Sequence, residues 1–106
     1  MIDPSALVTA SFSDFPRAAD GGPAAGIVLL DVRDDEEYAR DHLDRALHLP
    51  VARVADRLDE VPPGTVWVHC ERGSRAERAG AVLAAAGREV VVVRENIRAG
   101  RASGLV

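Results

Sequence analysis

Hydrophobic positions along this chain fall into short continuous runs separated by polar segments of helical character. Residues 27–32 (Ile-Val-Leu-Leu-Asp-Val), 65–69 (Thr-Val-Trp-Val-His) and 89–93 (Glu-Val-Val-Val-Val) are the kind of run that a strand buried on both faces requires. Residues 7–9 predict a short edge strand, and 46–49 a weaker one. Between them, Asp34 predicts the cap of a short helix over 35–41, whose early carboxylates suit the positive helix end. Ser13-Asp14 followed by Pro16 predicts a further helix start, and 51–58 a helix after Pro50. Pro62-Pro63-Gly64 predicts a turn. The strongest helix is 74–86, with Ala76, Ala79, Gly80, Leu83 and Ala86 on one face and Gly87 as its stop. Strands alternating with helices over short loops predict an α/β fold, a parallel sheet of about four to five strands with helices on both faces.

The 106 residues are 47% hydrophobic and 28% charged, which predicts one domain over 1–106 with a single core. One cysteine excludes an internal disulfide, and without CxxC or HExxH the sequence predicts neither a structural metal site nor a cofactor. The apolar runs are short, and Met1-Ile2-Asp3-Pro4 lacks a basic segment followed by an apolar one, so a cytoplasmic protein with no membrane partner is expected. All thirteen basic residues are arginine, yet a net charge of −4 and the absence of a basic stripe interleaved with aromatics argue against nucleic acid as a partner. Charge is unevenly spread. Ten acids and five arginines lie between Asp31 and Glu60, against four acids and seven arginines from Cys70 onward. The thiol therefore heads a locally basic third.

In an open parallel sheet, ligands bind at the carboxyl ends of strands. Cys70 is placed there, directly after the 65–69 run, and Glu71, Arg72, Gly73, Ser74 and Arg75 carry the chain into the strongest helix. Such a loop can wrap its N–H groups around the sulfur, with Gly73 free to take a positive φ and the helix dipole favouring an anion. The competing reading is a buried, inert cysteine. Arg75, one turn into the helix, is expected to face the sulfur and attract an anionic donor. Arg72 falls at the loop's tip. Glu71, beside the thiol, opposes an anionic substrate. Asp31 and Arg33 end a strand and are expected to pair with neighbours and fix the loops. His69 points to the opposite face from Cys70 and is not expected to act as its base, and Trp67 reads as a sheet-packing residue.

Cys70-x-x-Gly73-x-Arg75 after a hydrophobic strand, with Leu30-Asp31-Val32-Arg33, Glu37-Tyr38, His42-Leu43 and Ala46-Leu47-His48-Leu49-Pro50 upstream, resembles a single-domain rhodanese over about residues 27–93. The resemblance implies that Cys70 takes a sulfur atom from a donor such as thiosulfate or a persulfide and holds it as its own persulfide. It then passes that sulfur to a thiol, to cyanide or to a sulfur-accepting protein. Two stretches depart from the family pattern. Asp41-His42-Leu43-Asp44-Arg45-Ala46 lacks the glycines usual there, and Arg94 to Gly100 replaces a Gly-Gly and tryptophan segment that walls the pocket. A non-catalytic binding or regulatory module of the same fold is the alternative. A cysteine phosphatase or arsenate reductase is disfavoured by spacing, because those enzymes resemble His-Cys-x5-Arg, whereas Arg75 follows Cys70 after four residues and Ala76 takes the phosphatase position.

Overall fold

The computed structural model describes residues 7–106, so the opening Met1-Ile2-Asp3-Pro4 lies outside the described residues. Five strands form one parallel sheet: β1 (Val8–Ala10), β2 (Ile27–Asp31), β3 (Leu47–His48), β4 (Thr65–His69) and β5 (Val90–Val93). Their order across the sheet is β1-β5-β4-β2-β3, which puts the three apolar runs in the middle and the two shortest strands at the borders. β2 and β4 are in register from Ile27 opposite Thr65 to Asp31 opposite His69, so their carboxyl ends stop side by side.

Alternation along the strands divides the interior into two layers. Val28, Leu30, Val66, Val68, Val90 and Val92 face one side, where Ala76, Ala79 and Leu83 of α2 (Ser74–Ala85) cover them. Leu29, Trp67 and Val93 face the other, against Phe12, Phe15, Leu43 and Ile97. Trp67 packs edge-on to Phe15, with ring centroids 5.4 Å apart. Each fully buried aliphatic side chain of this kind contributes roughly 1.5–3 kcal/mol.

The helical segments depart from expectation in four places. Ala86 is exposed and ends α2 as its C-cap, and Gly87 follows at φ 86°. In place of a helix over 51–58 there are two single 3-10 turns, Val51–Arg53 and Leu58–Glu60. Neither has a capping side chain, and between residues 51 and 60 Val54 alone is fully buried, so little rewards the cost of a continuous helix. Near Pro16 the chain forms only a 3-10 turn, Phe12–Asp14, capped by Ser11. Phe15 is already extended, as the residue before a proline prefers. The fourth departure is a helix where none is expected, α3 (Ile97–Ala102), whose start Asn96 caps by accepting the N–H of Ala99. α1 (Asp35–Arg40) begins as predicted, with Asp34 and Glu37 forming a reciprocal capping box.

His69 is fully buried at the end of β4, on the Phe12 side of the sheet, with ring centroids 5.3 Å apart. Neither ring nitrogen has a hydrogen-bond partner among the described residues, and Nε2 stands 4.0 Å from Asp31 Oδ2. Burial outweighs the nearby carboxylate and pushes the imidazole down to about 4 from an ordinary 6.5. The unfolded chain thus takes up a proton that the native ring refuses. Its contribution to stability is complete above about 6.5 and shrinks as the pH falls towards about 4. Urea unfolding followed from pH 7 to pH 4 is expected to show this decline, with a shallower slope in His69→Leu. Identical slopes would contradict the assignment.

Candidate functional site

β4 hands over to α2 through Cys70-Glu71-Arg72-Gly73. Gly73 sits at φ 102°, a conformation that disfavours a side chain, and a Cβ there would also meet Arg94 Cγ at 3.0 Å. This turn aims two main-chain donors at one atom. The N–H of Gly73 donates to Cys70 Sγ at 3.0 Å, and the N–H of Ala76 donates to it at 3.3 Å. Both lie at the amino end of a twelve-residue helix, where the partial positive charge of the helix favours an anion. The sulfur is nonetheless only 1% exposed and packs in the same cluster as Val68, Ala76 and Leu83, so it belongs to the core as well as to the loop. Both settings weighed from the sequence, a loop of N–H donors and a buried cysteine, are thus present together. Two amide donors within an apolar wall point at the sulfur, an arrangement that suits a negative charge there.

The side chains around this niche are arranged by ion pairs. Arg75 is committed to α1: its Nη1 is 2.5 Å from Glu37 Oε1 and its Nη2 is 3.1 Å from Oε2. This two-pronged contact holds the Glu37 carboxyl down at about 2 and raises the guanidinium above its usual range. The arginine expected to await an anionic donor thus spends its donors on fastening the first turn of α2 to α1. Asp31 and Arg33 pair with each other out of water. Arg33 Nη2 is 2.7 Å from Asp31 Oδ2, Nε reaches both carboxylate oxygens, and the Arg33 N–H also donates to Oδ1. Burial works against the Arg33 charge, but the hydrogen bonds and charge of Asp31 prevail and hold it above its ordinary value. The same Nη2 donates to the Asp41 carbonyl at 2.7 Å, which anchors the chain as it leaves α1.

Glu71 turns towards Arg98 of α3, with Oε1 3.2 Å from Nη2. Arg72 is exposed and has no ion-pair partner among the described residues, and Ser74 is exposed on the first turn of α2. Beside the loop opens a cleft of about 640 Å³. Arg33 and Glu71 line it on the sheet side, Glu37 and Arg40 on the α1 side, and Ile97 and Arg98 on the α3 side. His69 lies across the sheet from Cys70, since the two belong to opposite layers. Among the described residues there is no group of three histidine, cysteine, aspartate or glutamate side chains that could hold a metal ion. None of their helices is long and apolar enough to cross a membrane.

Two contributors escape a reading of the sequence alone. Glu37 reads there only as an early helix carboxylate and as part of the Glu37-Tyr38 pair, neither of which reveals its reach to Arg75. Arg98 depends on α3, for which Asn96 followed by Ile97 is the available signal.

A family model described as "Rhodanese-like domain" matches residues 14–102. The chain is 28% identical over 89 residues to the putative sulfur carrier protein YrkF of Bacillus subtilis, covering 83% of this chain and 47% of that protein. Among solved structures, a rhodanese-like domain protein from Staphylococcus aureus superposes with a TM-score of 0.73 at 22% identity, covering 94% of this chain and 97% of that one. A NAD-dependent persulfide reductase from A. fulgidus is 34% identical with a TM-score of 0.59, covering 69% of this chain and 13% of that one. The chain spans less than half the length of the curated relatives it matches. The matching sheet, the cysteine loop at the end of β4 and the span of the family model together establish that this chain belongs to the rhodanese-like domain family.

Proposed function

We propose that this domain is a sulfurtransferase in which Cys70 is the sole nucleophile and carries the transferred sulfur as a persulfide. The observation that carries this reading is the convergence of the Gly73 and Ala76 amides on Cys70 Sγ. Those donors stabilise a thiolate at Cys70 Sγ, both as it attacks the donor and as it leaves in the second half of the transfer. Membership of the family and likeness to a protein named as a putative sulfur carrier support it.

With thiosulfate, the Cys70 thiolate attacks the outer sulfur and a new S–S bond forms. The sulfur–sulfur bond of the donor breaks, and sulfite leaves with its electron pair. With an organic persulfide, the leaving group is the parent thiolate, which takes a proton from solvent. In the second half, an acceptor thiolate or cyanide attacks the outer sulfur and Cys70 leaves as thiolate. There is no second cysteine in the chain, so the sulfur passes to an external acceptor, a small thiol, cyanide or a sulfur-accepting protein. The Asp31–Arg33 and Glu37–Arg75 pairs act as positioning groups for the loop, Glu71 lines the cleft from which the donor approaches, and Arg72 and Ser74 belong to the exposed part of the loop.

A binding module without catalysis is the second reading, favoured by the burial of Cys70 and by Glu71 beside it. Intact-mass measurement after incubation with thiosulfate or a persulfide separates the two. The expected result is a gain of one sulfur atom that reductant removes, and no gain in Cys70→Ser, whose hydroxyl oxygen can accept the same amide hydrogens and keep the fold. No adduct with any sulfane donor favours the binding module.

Glu37→Gln tests the positioning of the loop. It is expected to lower stability at pH 7 by about 1–2 kcal/mol and to slow Cys70 loading several-fold. It also removes the part of the stability that is present above about 4.5 and lost as the pH falls towards about 2. Acid titration of unfolding, together with loading rates, checks both effects, and loading at the native rate would show that the Arg75 contact does not position the site.

A further inference from the structure

The cleft beside the cysteine loop is larger than an inorganic donor needs. At about 640 Å³ it falls within the range of roughly 300–1,000 Å³ typical of sites for organic ligands. Its charges are nearly all neutralised within the protein. Arg33 is paired with Asp31, Glu37 with Arg75, and Glu71 with Arg98. Asp41, which also lines the cleft, is gripped by both outer nitrogens of Arg101 at 2.6 and 2.7 Å. The exception is Arg40, an exposed residue in the last turn of α1 with no ion-pair partner among the described residues. Arg72 is also unpaired, but it does not line the cleft.

From this charge inventory we infer that Arg40 determines donor specificity, by binding a carboxylate on an organic persulfide whose body occupies the cleft while its terminal sulfur reaches Cys70. The inference rests on the sulfur-transfer reading above and adds the class of donor to it. A doubly charged inorganic oxyanion finds every other guanidinium of the cleft already matched, whereas a thiol acid has one charge to place. The step itself is the balanced exchange already described. The sulfur–sulfur bond of the donor breaks as the bond to Cys70 forms, and the thiol acid leaves as its thiolate and takes a proton from solvent.

The competing role for Arg40 is to complement the carboxyl end of α1, which would affect stability but not the choice of donor. The two are separated with N-acetylcysteine persulfide and the persulfide of N-acetylcysteine amide, which differ by a single carboxylate. Loading of Cys70 in the full chain is followed by intact mass at low ionic strength. The carboxylate donor is expected to react with a kcat/KM about three- to tenfold higher. Arg40→Gln abolishes that preference through KM for the carboxylate donor and leaves the amide donor unchanged. Equal rates with both donors, or a preference that survives Arg40→Gln, overturns the inference. If neither donor loads Cys70, the sulfur-transfer reading itself fails. Arg40-dependent binding of N-acetylcysteine, measured by titration, then decides whether the cleft still takes a carboxylate, and its absence removes the assignment of Arg40 as well.

Discussion

Asp31 and Arg33 place two opposite charges almost wholly out of water at the carboxyl end of β2, and the arrangement of the site depends on their holding each other there. Charges so buried are tolerated only when their hydrogen-bonding capacity is met, and removing one partner of such a pair costs about 3–5 kcal/mol. Here the geometry is nearly saturated, with side-chain and main-chain donors converging on one carboxylate. The spare reach of the Arg33 guanidinium goes to the Asp41 carbonyl. One buried pair therefore fixes the end of a central strand, the segment after α1 and one wall of the cleft. Asp31 Oδ2 also stands 4.0 Å from His69 Nε2, so the pair shapes both sides of the sheet end.

The remaining walls are fastened by pairs nearer the surface. Glu37–Arg75 joins α1 to α2, Glu71–Arg98 joins the cysteine loop to α3, and Asp41–Arg101 joins α3 to the segment after α1. Pairs as open to solvent as Glu71–Arg98 and Asp41–Arg101 contribute little to stability, the half-buried, two-pronged Glu37–Arg75 contact somewhat more, and none of them holds the domain folded. What they supply is register among elements that include two six-residue helices, α1 with no buried residue and α3 with Ile97 and Gly100. The fold comes from the two apolar layers of the sheet, and the cleft comes from charge pairing at its rim.

Those two sources explain what could be read from the sequence. The central strands announce themselves because burial on both faces demands unbroken apolar runs, and α2 because its small residues recur at helical spacing against the sheet. The cysteine loop is legible for the same reason, since a glycine between a strand and a strong helix has few other uses. The 51–58 segment fails because its valines satisfy a helical pattern that tertiary packing does not reward. Glu37–Arg75 and Glu71–Arg98 span 38 and 27 residues of chain, and pairings between arginines and acids that far apart are set by topology rather than local pattern. The sequence raises burial of the cysteine only as one of two readings, because a residue that ends a strand and one that begins a loop look the same until the neighbouring layer is in place.

The sheet's borders carry a separate consequence. β1 and β3 are only three and two residues long, and they flank a centre rich in valine that would readily recruit strands from other molecules. Edges this brief expose few unpaired ladder groups, so the arrangement that lets a small chain enclose its most adhesive segments also guards it against edge-to-edge aggregation.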